Sequence, residues 1–143
     1  MSDLRQFARN MRKRGQDIVL NSNRLKKRAA QVVANSVAQN MPIDTGRAVS
    51  NTIVSLGAPE DRILEEARYP GKQRSTASVN QAAAIAHASD VISRALPEQE
   101  VWLSNNLDYV VDLNNGSSPQ APAGFLERAV LEGRAVIRTG KIL

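Results

Sequence analysis

Apolar residues open the chain at a strict spacing of seven, Leu4, Met11, Ile18, Leu25 and Val32, which is one edge of a helix at a 3.5-residue repeat. Four residues after each stands a small one, Ala8, Gly15, Ser22, Ala29 and Ser36. A bulky ridge therefore runs beside a shallow groove on one helical face, and such a face seats another helix closely. Leu25, Ala29, Val32 and Ser36 are the expected oligomer seam. Gly15 and the Asn21-Ser22-Asn23 cluster disfavour a helix interior, so one continuous helix and two shorter ones both remain open. A continuous helix from Asp3 to Asn40 would be ~57 Å long. A compact domain of 143 residues is only ~37 Å across. The helix would then protrude, with an apolar stripe in need of a partner.

Pro42 stops the helix, and Ile43-Asp44-Thr45-Gly46-Arg47 reads as a turn in which Asp44 and Thr45 bond neighbouring amides and Gly46 takes a positive φ. A strand candidate follows, with Thr52, Val54 and Leu56 on one face and Asn51, Ile53 and Ser55 on the other, broken by Gly57-Ala58-Pro59. Pro59 is expected to open a short helix through about Ala67. Tyr69-Pro70-Gly71-Lys72 to Ser78 reads as a polar loop. From Val79 to Leu96 the apolar spacing suits a helix ending before Pro97. Glu100 to Ser104 reads as a second strand around Trp102, and Leu107 to Asn115 as a short helix stopped by Gly116. Pro122 is placed as the first residue of a closing amphipathic helix carrying Phe125, Leu126, Ala129, Val130, Gly133 and Ile137. The resulting expectation is an α+β fold in a single unit over residues 1–143. A long basic helix (1–41) precedes a body (42–143) of helices around a short antiparallel sheet.

Composition adds a reason for assembly. Aromatic residues make up 3% of the chain and alanine is abundant, so the core is built of small side chains and gains from burial against further subunits. Charge is unevenly spread. Through Arg47 there are ten Lys/Arg against three acids, and beyond it nine against eleven, or about +7 and −2. The basic segment suits phosphate, an acidic protein surface or plain solvent. No cysteine is present and His87 is the single histidine, which argues against thiol chemistry, a multi-histidine metal site and any cofactor. No apolar run reaches the ~20 residues of a membrane span, and the expectation is a soluble chain made in the cytoplasm.

Candidate chemistry is thin. Asp44-Thr45-Gly46 matches the aspartic-protease tripeptide, in which two carboxylates share one proton. That chemistry places the aspartate after an apolar strand in an all-β fold. Here it follows a helical segment and Met41-Pro42, which favours a turn-forming role. His87 and Asp90 sit three residues apart on one helix without an activated nucleophile, so a structural histidine is the better reading. Arg12-Lys13-Arg14 and Lys26-Lys27-Arg28 are suited to phosphates. Only Phe7 among aromatics lies in that half, which excludes stacking-based sequence recognition and leaves loose backbone contact open. No enzymatic activity is expected.

Three separated segments resemble one family, the tail-completion or neck proteins of long-tailed bacteriophages, including the minor tail protein Z type of phage lambda. Met41-Pro42-Ile43-Asp44-Thr45-Gly46-Arg47-Ala48, after a basic helix, is similar to that family's Pro-Val-Asp-Thr-Gly-Arg signature, with Ile43 in the valine position. Val101-Trp102-Leu103-Ser104-Asn105-Asn106-Leu107-Asp108-Tyr109 resembles its strand leading to Asn-x-x-Tyr, and Asp108 stands where a proline is often found. Leu113 to Ser118, with Gly116, continues it. Gln120-Ala121-Pro122-Ala123-Gly124-Phe125 resembles the Ala-Pro-x-x-Phe start of the last helix, and Ala58 to Leu96 matches only loosely. The resemblance implies a small α+β protein that forms a homo-oligomeric ring, six-membered by association with sixfold tails. It would sit at the head-to-tail junction of the virion and contact neck, tail-terminator or tail-tube proteins, with DNA passing through. A non-sequence-specific nucleic-acid-binding module, using the basic helix, is the competing expectation.

Overall fold

The computed structural model describes residues 2–69 and 76–142. In chain order the elements are α1 (Ser2–Asn40), α2 (Arg47–Ser50), β1 (Ile53–Leu56), α3 (Ala77–Ser93), β2 (Val101–Ser104), α4 (Val110–Asn114) and α5 (Phe125–Thr139). The fold is α+β. The alternative left open for the first segment is resolved as one helix of 39 residues, about 58 Å long at 1.5 Å per residue. Gly15 and the Asn21-Ser22-Asn23 cluster do not break it. Asn21 and Asn23 turn outward to the backbone instead, donating to Ile142 O at 3.2 Å and Ala95 O at 3.1 Å.

Only the second half of α1 belongs to the body. Ala34, Val37 and Ala38 are buried there, and α1 packs against both α3 and α5. The α5 contact is made close by glycine. A Cβ at Gly133 would collide with Val33 Cγ2 and come within 3.2 Å of Ala29 O, and one at Gly140 would collide with the Leu25 side chain. The groove of small residues thus receives α5 of the same chain along the stretch expected as an oligomer seam. Ala29 and Ser36 are buried, and Leu25 and Val32 are half-buried. The Ser36 hydroxyl has no hydrogen-bond partner among the described residues. What α5 leaves uncovered lies N-terminal to Asn21, where Leu4, Phe7 and Met11 are 70, 64 and 52% exposed.

The two strands pair antiparallel with Val54 opposite Leu103 and Ser55 opposite Trp102. Ile53 and Val54 are both buried, so the strict in-out alternation read from Thr52 to Leu56 does not hold. β1 packs against α3. Three further expectations are corrected. Residues 59–67 form an irregular loop with no helix, because Asn51 Oδ1 and Nδ2 bond the Leu64 N–H and C=O at 2.6 and 2.9 Å, occupying groups that a helix would use internally. The helix read from Val79 starts earlier and stops at Ser93, before Ala95. Pro122 is not the first residue of α5. The backbone reverses through Gly124, and the helix begins at Phe125, which is fully buried with Met41, Ile43, Val49 and Ala129. Residues 70–75 of the expected Tyr69–Ser78 loop lie outside the described residues.

Candidate functional site

Asn40 ends α1, and the chain then turns through Asp44, Thr45 and Gly46 into α2. Gly46 has φ +82°, and a Cβ there would lie 2.6 Å from Asn80 Nδ2. Two independent constraints, backbone conformation and the Asn80 side chain, therefore demand glycine. Asn80 is buried and is bonded on every side. Its Nδ2 donates to Tyr69 O at 2.8 Å and to Thr76 Oγ1 at 2.9 Å, while its Oδ1 accepts from Ser50 Oγ at 3.2 Å. Ser50 Oγ in turn accepts from the Arg68 N–H at 3.0 Å. A buried amide whose donors and acceptor are satisfied fixes local geometry, since each broken bond leaves a polar group stranded. Asn80, Ser50 and Asn51 thus tie the turn, α3 and the 57–69 loop into one unit.

The other two family-like segments arrive at the same place. Gln120 Oε1 accepts from the Ile43 N–H at 3.0 Å. Asn105 Nδ2 donates to Ala48 O at 2.9 Å and Thr52 Oγ1 at 3.1 Å, and Asn106 Nδ2 donates to Glu60 O at 2.7 Å. Pro42, Asp44, Gly46, Arg47, Tyr109 and Gln120 share the lining of a shallow cavity of about 120 Å³. Burial pushes the Tyr109 phenol above its ordinary pKa, Arg47 opposes the shift and Asp108 adds to it. Arg47 also pairs with Glu65 at 3.4 Å on the surface and donates from Nε to Leu64 O at 3.4 Å. Gly116 follows α4, and Asn114 at its end organises the start of α5. Asn114 Oδ1 accepts from the Leu126 N–H at 2.9 Å, and its Nδ2 donates to Glu127 Oε2 at 2.8 Å. That bond, with the Glu127 backbone N–H, holds the Glu127 carboxyl below its ordinary pKa. Pro122 is exposed in the preceding loop.

Asp44 is exposed between two helices, not buried beside a strand, and Thr45 Oγ1 accepts from the Arg47 N–H at 3.3 Å. The arrangement is that of a turn. Trp102 is 39% exposed, with Nε1 donating to Glu100 Oε2 at 3.0 Å, and like Pro122 it takes no part in the cluster. His87 accepts from the Val54 N–H through Nε2 at 3.1 Å. The neutral imidazole caps an N–H that faces away from β2. Asp90, its helical neighbour, bonds Arg94 instead.

The basic residues divide into two groups. Lys26 Nζ donates to Leu96 O at 2.8 Å and Gln99 O at 2.6 Å, and Lys27 Nζ to Ser93 O at 3.0 Å. These ammonium groups sit where the α3 carbonyls run out, as the helix dipole favours. Burial lowers the Lys26 pKa, with Glu98 opposing. Arg5, Arg9, Arg12, Lys13 and Arg14 lie exposed on the projecting half of α1. The residues that sequence reasoning missed are the buried amides Asn51, Asn80 and Asn114 and the half-buried Asn105, each bonded to backbone of another segment. Their only signal was an asparagine set inside or beside an apolar run. Among the described residues no group of three His, Asp or Glu side chains is placed to hold a metal ion, and no helix is long and apolar enough to cross a membrane. Compared with models of known protein families, with curated proteins and with solved structures, the chain matches none.

Proposed function

We propose that this chain is a structural component of a phage head-to-tail junction, a tail-completion or neck protein that assembles as a homo-oligomeric ring and allows heads and tails to join. One observation carries the reading. Three segments that resemble the same family, far apart in sequence, converge on the Asp44–Arg47 turn through Gln120, Asn105 and Tyr109. The turn they meet at is built from satisfied backbone and amide bonds, as a structural role asks. The second support is the projecting basic half of α1, which a partner must cover. A closed ring follows from head-to-tail contact between identical subunits that must terminate; six members rest on the association with sixfold tails alone. The test is electron microscopy of a lysate lacking this protein. Filled heads beside unjoined tails are expected, and normal infectious particles would refute the role.

The exposed cluster Arg5, Arg9, Arg12, Lys13 and Arg14 favours a second reading, loose contact with DNA phosphates. Duplex binding by these residues would weaken with a log–log salt slope of about −0.9 per neutralised phosphate. Ring contacts through apolar residues would persist.

A further inference from the structure

We infer that the projecting arm of α1, residues 3–20, docks on the sheet face around Trp102 of a second copy of this chain. The inference rests on the homo-oligomer reading above and names the surfaces that would make it. The arm leaves the body where Asn21 bonds Ile142 O. Beyond that point the apolar stripe continues without α5, with Leu4, Phe7 and Met11 open to solvent. One unbroken helix cannot fold back on its own body, so the cover comes from elsewhere.

Charge selects the surface. The arm carries Arg5, Arg9, Arg12, Lys13 and Arg14 against Asp3 and Asp17, so two arms side by side repel. The 57–69 loop and the approach to β2 are net acidic, with Glu60, Asp61, Glu65, Glu66, Glu98 and Glu100 against Arg62, Arg68 and the Lys26 ammonium that bonds the carbonyls of Leu96 and Gln99. Trp102 lies next to this stretch, with Glu100 in direct contact. Its indole N–H is held by Glu100, its cross-strand partner Ser55 bonds Ala58 O at 2.6 Å, and Asn106 holds Glu60 O at 2.7 Å. A half-exposed tryptophan bonded to a carboxylate beside an acidic stretch is the kind of anchor that interfaces favour. It complements an apolar helix face flanked by arginines. An arm ~27 Å long and ~10 Å wide buries on the order of 1,000 Å² counting both sides, the lower end for a specific contact. Each copy gives one arm and receives one, so the contact is made twice per subunit, either by reciprocal exchange in a pair or head to tail around a ring.

Trp102 is the single tryptophan, so its fluorescence reports the docking directly. The full chain is followed by sedimentation velocity and by acrylamide quenching across a dilution series. The expected result is an oligomer in which Trp102 is severalfold less accessible to quencher than in the dilute monomer. Met11→Arg should give a monomer with an open Trp102, an unchanged circular dichroism spectrum and the melting temperature of the dilute wild-type chain, because Met11 lies outside the core. Glu100→Lys should weaken assembly similarly. An oligomer whose Trp102 is as open as in the monomer would overturn the docking while leaving a ring built on another surface. A chain that stays monomeric at every concentration would overturn docking on a second copy; the junction reading is judged separately by the lysate micrographs.

Discussion

Gly46 is the residue on which the turn depends most. A side chain there meets the left-handed backbone penalty of roughly 1–2 kcal/mol and the buried Asn80 amide, and overpacking adds ~1 to 3 kcal/mol. Gly46→Val should therefore lower the melting temperature sharply or prevent folding, whereas Asp44→Asn, at an exposed position, should change stability by less than about 0.5 kcal/mol. Thermal unfolding of both variants checks this. Peptide cleavage by the purified chain that vanished in Asp44→Asn would return the protease reading. His87 supplies a second residue-scale outcome. Its pKa is lowered by burial first, then by Arg68, Arg62 and Arg94, with Asp90 opposing, and its Nε2 must be unprotonated to accept from Val54. The unfolded chain thus binds a proton before the folded one does. The stabilisation is complete above the unfolded pKa of about 6.5 and is lost as pH falls through it towards the lower folded value. Urea midpoints should fall between pH 7.5 and 5.5. His87→Ala should be less stable at pH 7.5, and its deficit should narrow across the same window.

Among the elements, the α1–α5 contact joins the beginning of the chain to its end. Ala29 is buried, and Gly133 lets the two backbones approach until Val33 fills the space a Cβ would need. Ala29→Leu should cost ~1 to 3 kcal/mol, since a well-packed seam accepts extra methylenes only by shifting. An unchanged melting temperature would mean that α5 does not sit in the groove. Because this stretch of the stripe is filled within the chain, Ala29→Leu is expected to act on folding. Met11→Arg, by contrast, acts on assembly. The seven-residue repeat was equally regular across both halves, so periodicity showed that the face needed a helix partner without showing whose helix it was.

For the whole molecule, shape follows from an imbalance between one long element and a small body. Half of α1 is left exposed among the described residues, and the body's small, alanine-rich core has little apolar surface to spare. Burying the arm offsets both, and subunit association that favours only the folded state raises stability with protein concentration. The melting temperature of the wild-type chain should therefore rise with concentration, while that of Met11→Arg stays constant. Differential scanning at several concentrations distinguishes these, and a concentration-independent wild type would argue against assembly-linked stability.

Periodic signals were legible because they need only local geometry. The 3.5-residue repeat showed a helical first segment while leaving one helix or two open, proline and glycine marked the turn at 42–46, and the two strand cores around Val54 and Trp102 followed from branched and aromatic runs between breakers. The cluster of anchors was visible as three family-like segments but not as one place, because convergence depends on contacts such as Ile43 with Gln120, 77 residues apart. The 59–67 helix was misread for the same reason. A proline followed by helix-forming residues favours a helix locally, yet Asn51 and Asn106 take the backbone groups of that loop from outside it. Local propensity is worth fractions of a kcal/mol per residue, and a buried amide that would otherwise lose its bonds outweighs it. The chain's own pattern dictated the helical stretches of α1, α3 and α5 and the turn at 42–46. Only tertiary packing decided which backbone groups were already claimed, which half of α1 was covered, and that Lys26 and Lys27 serve α3 while the arm's arginines remain exposed.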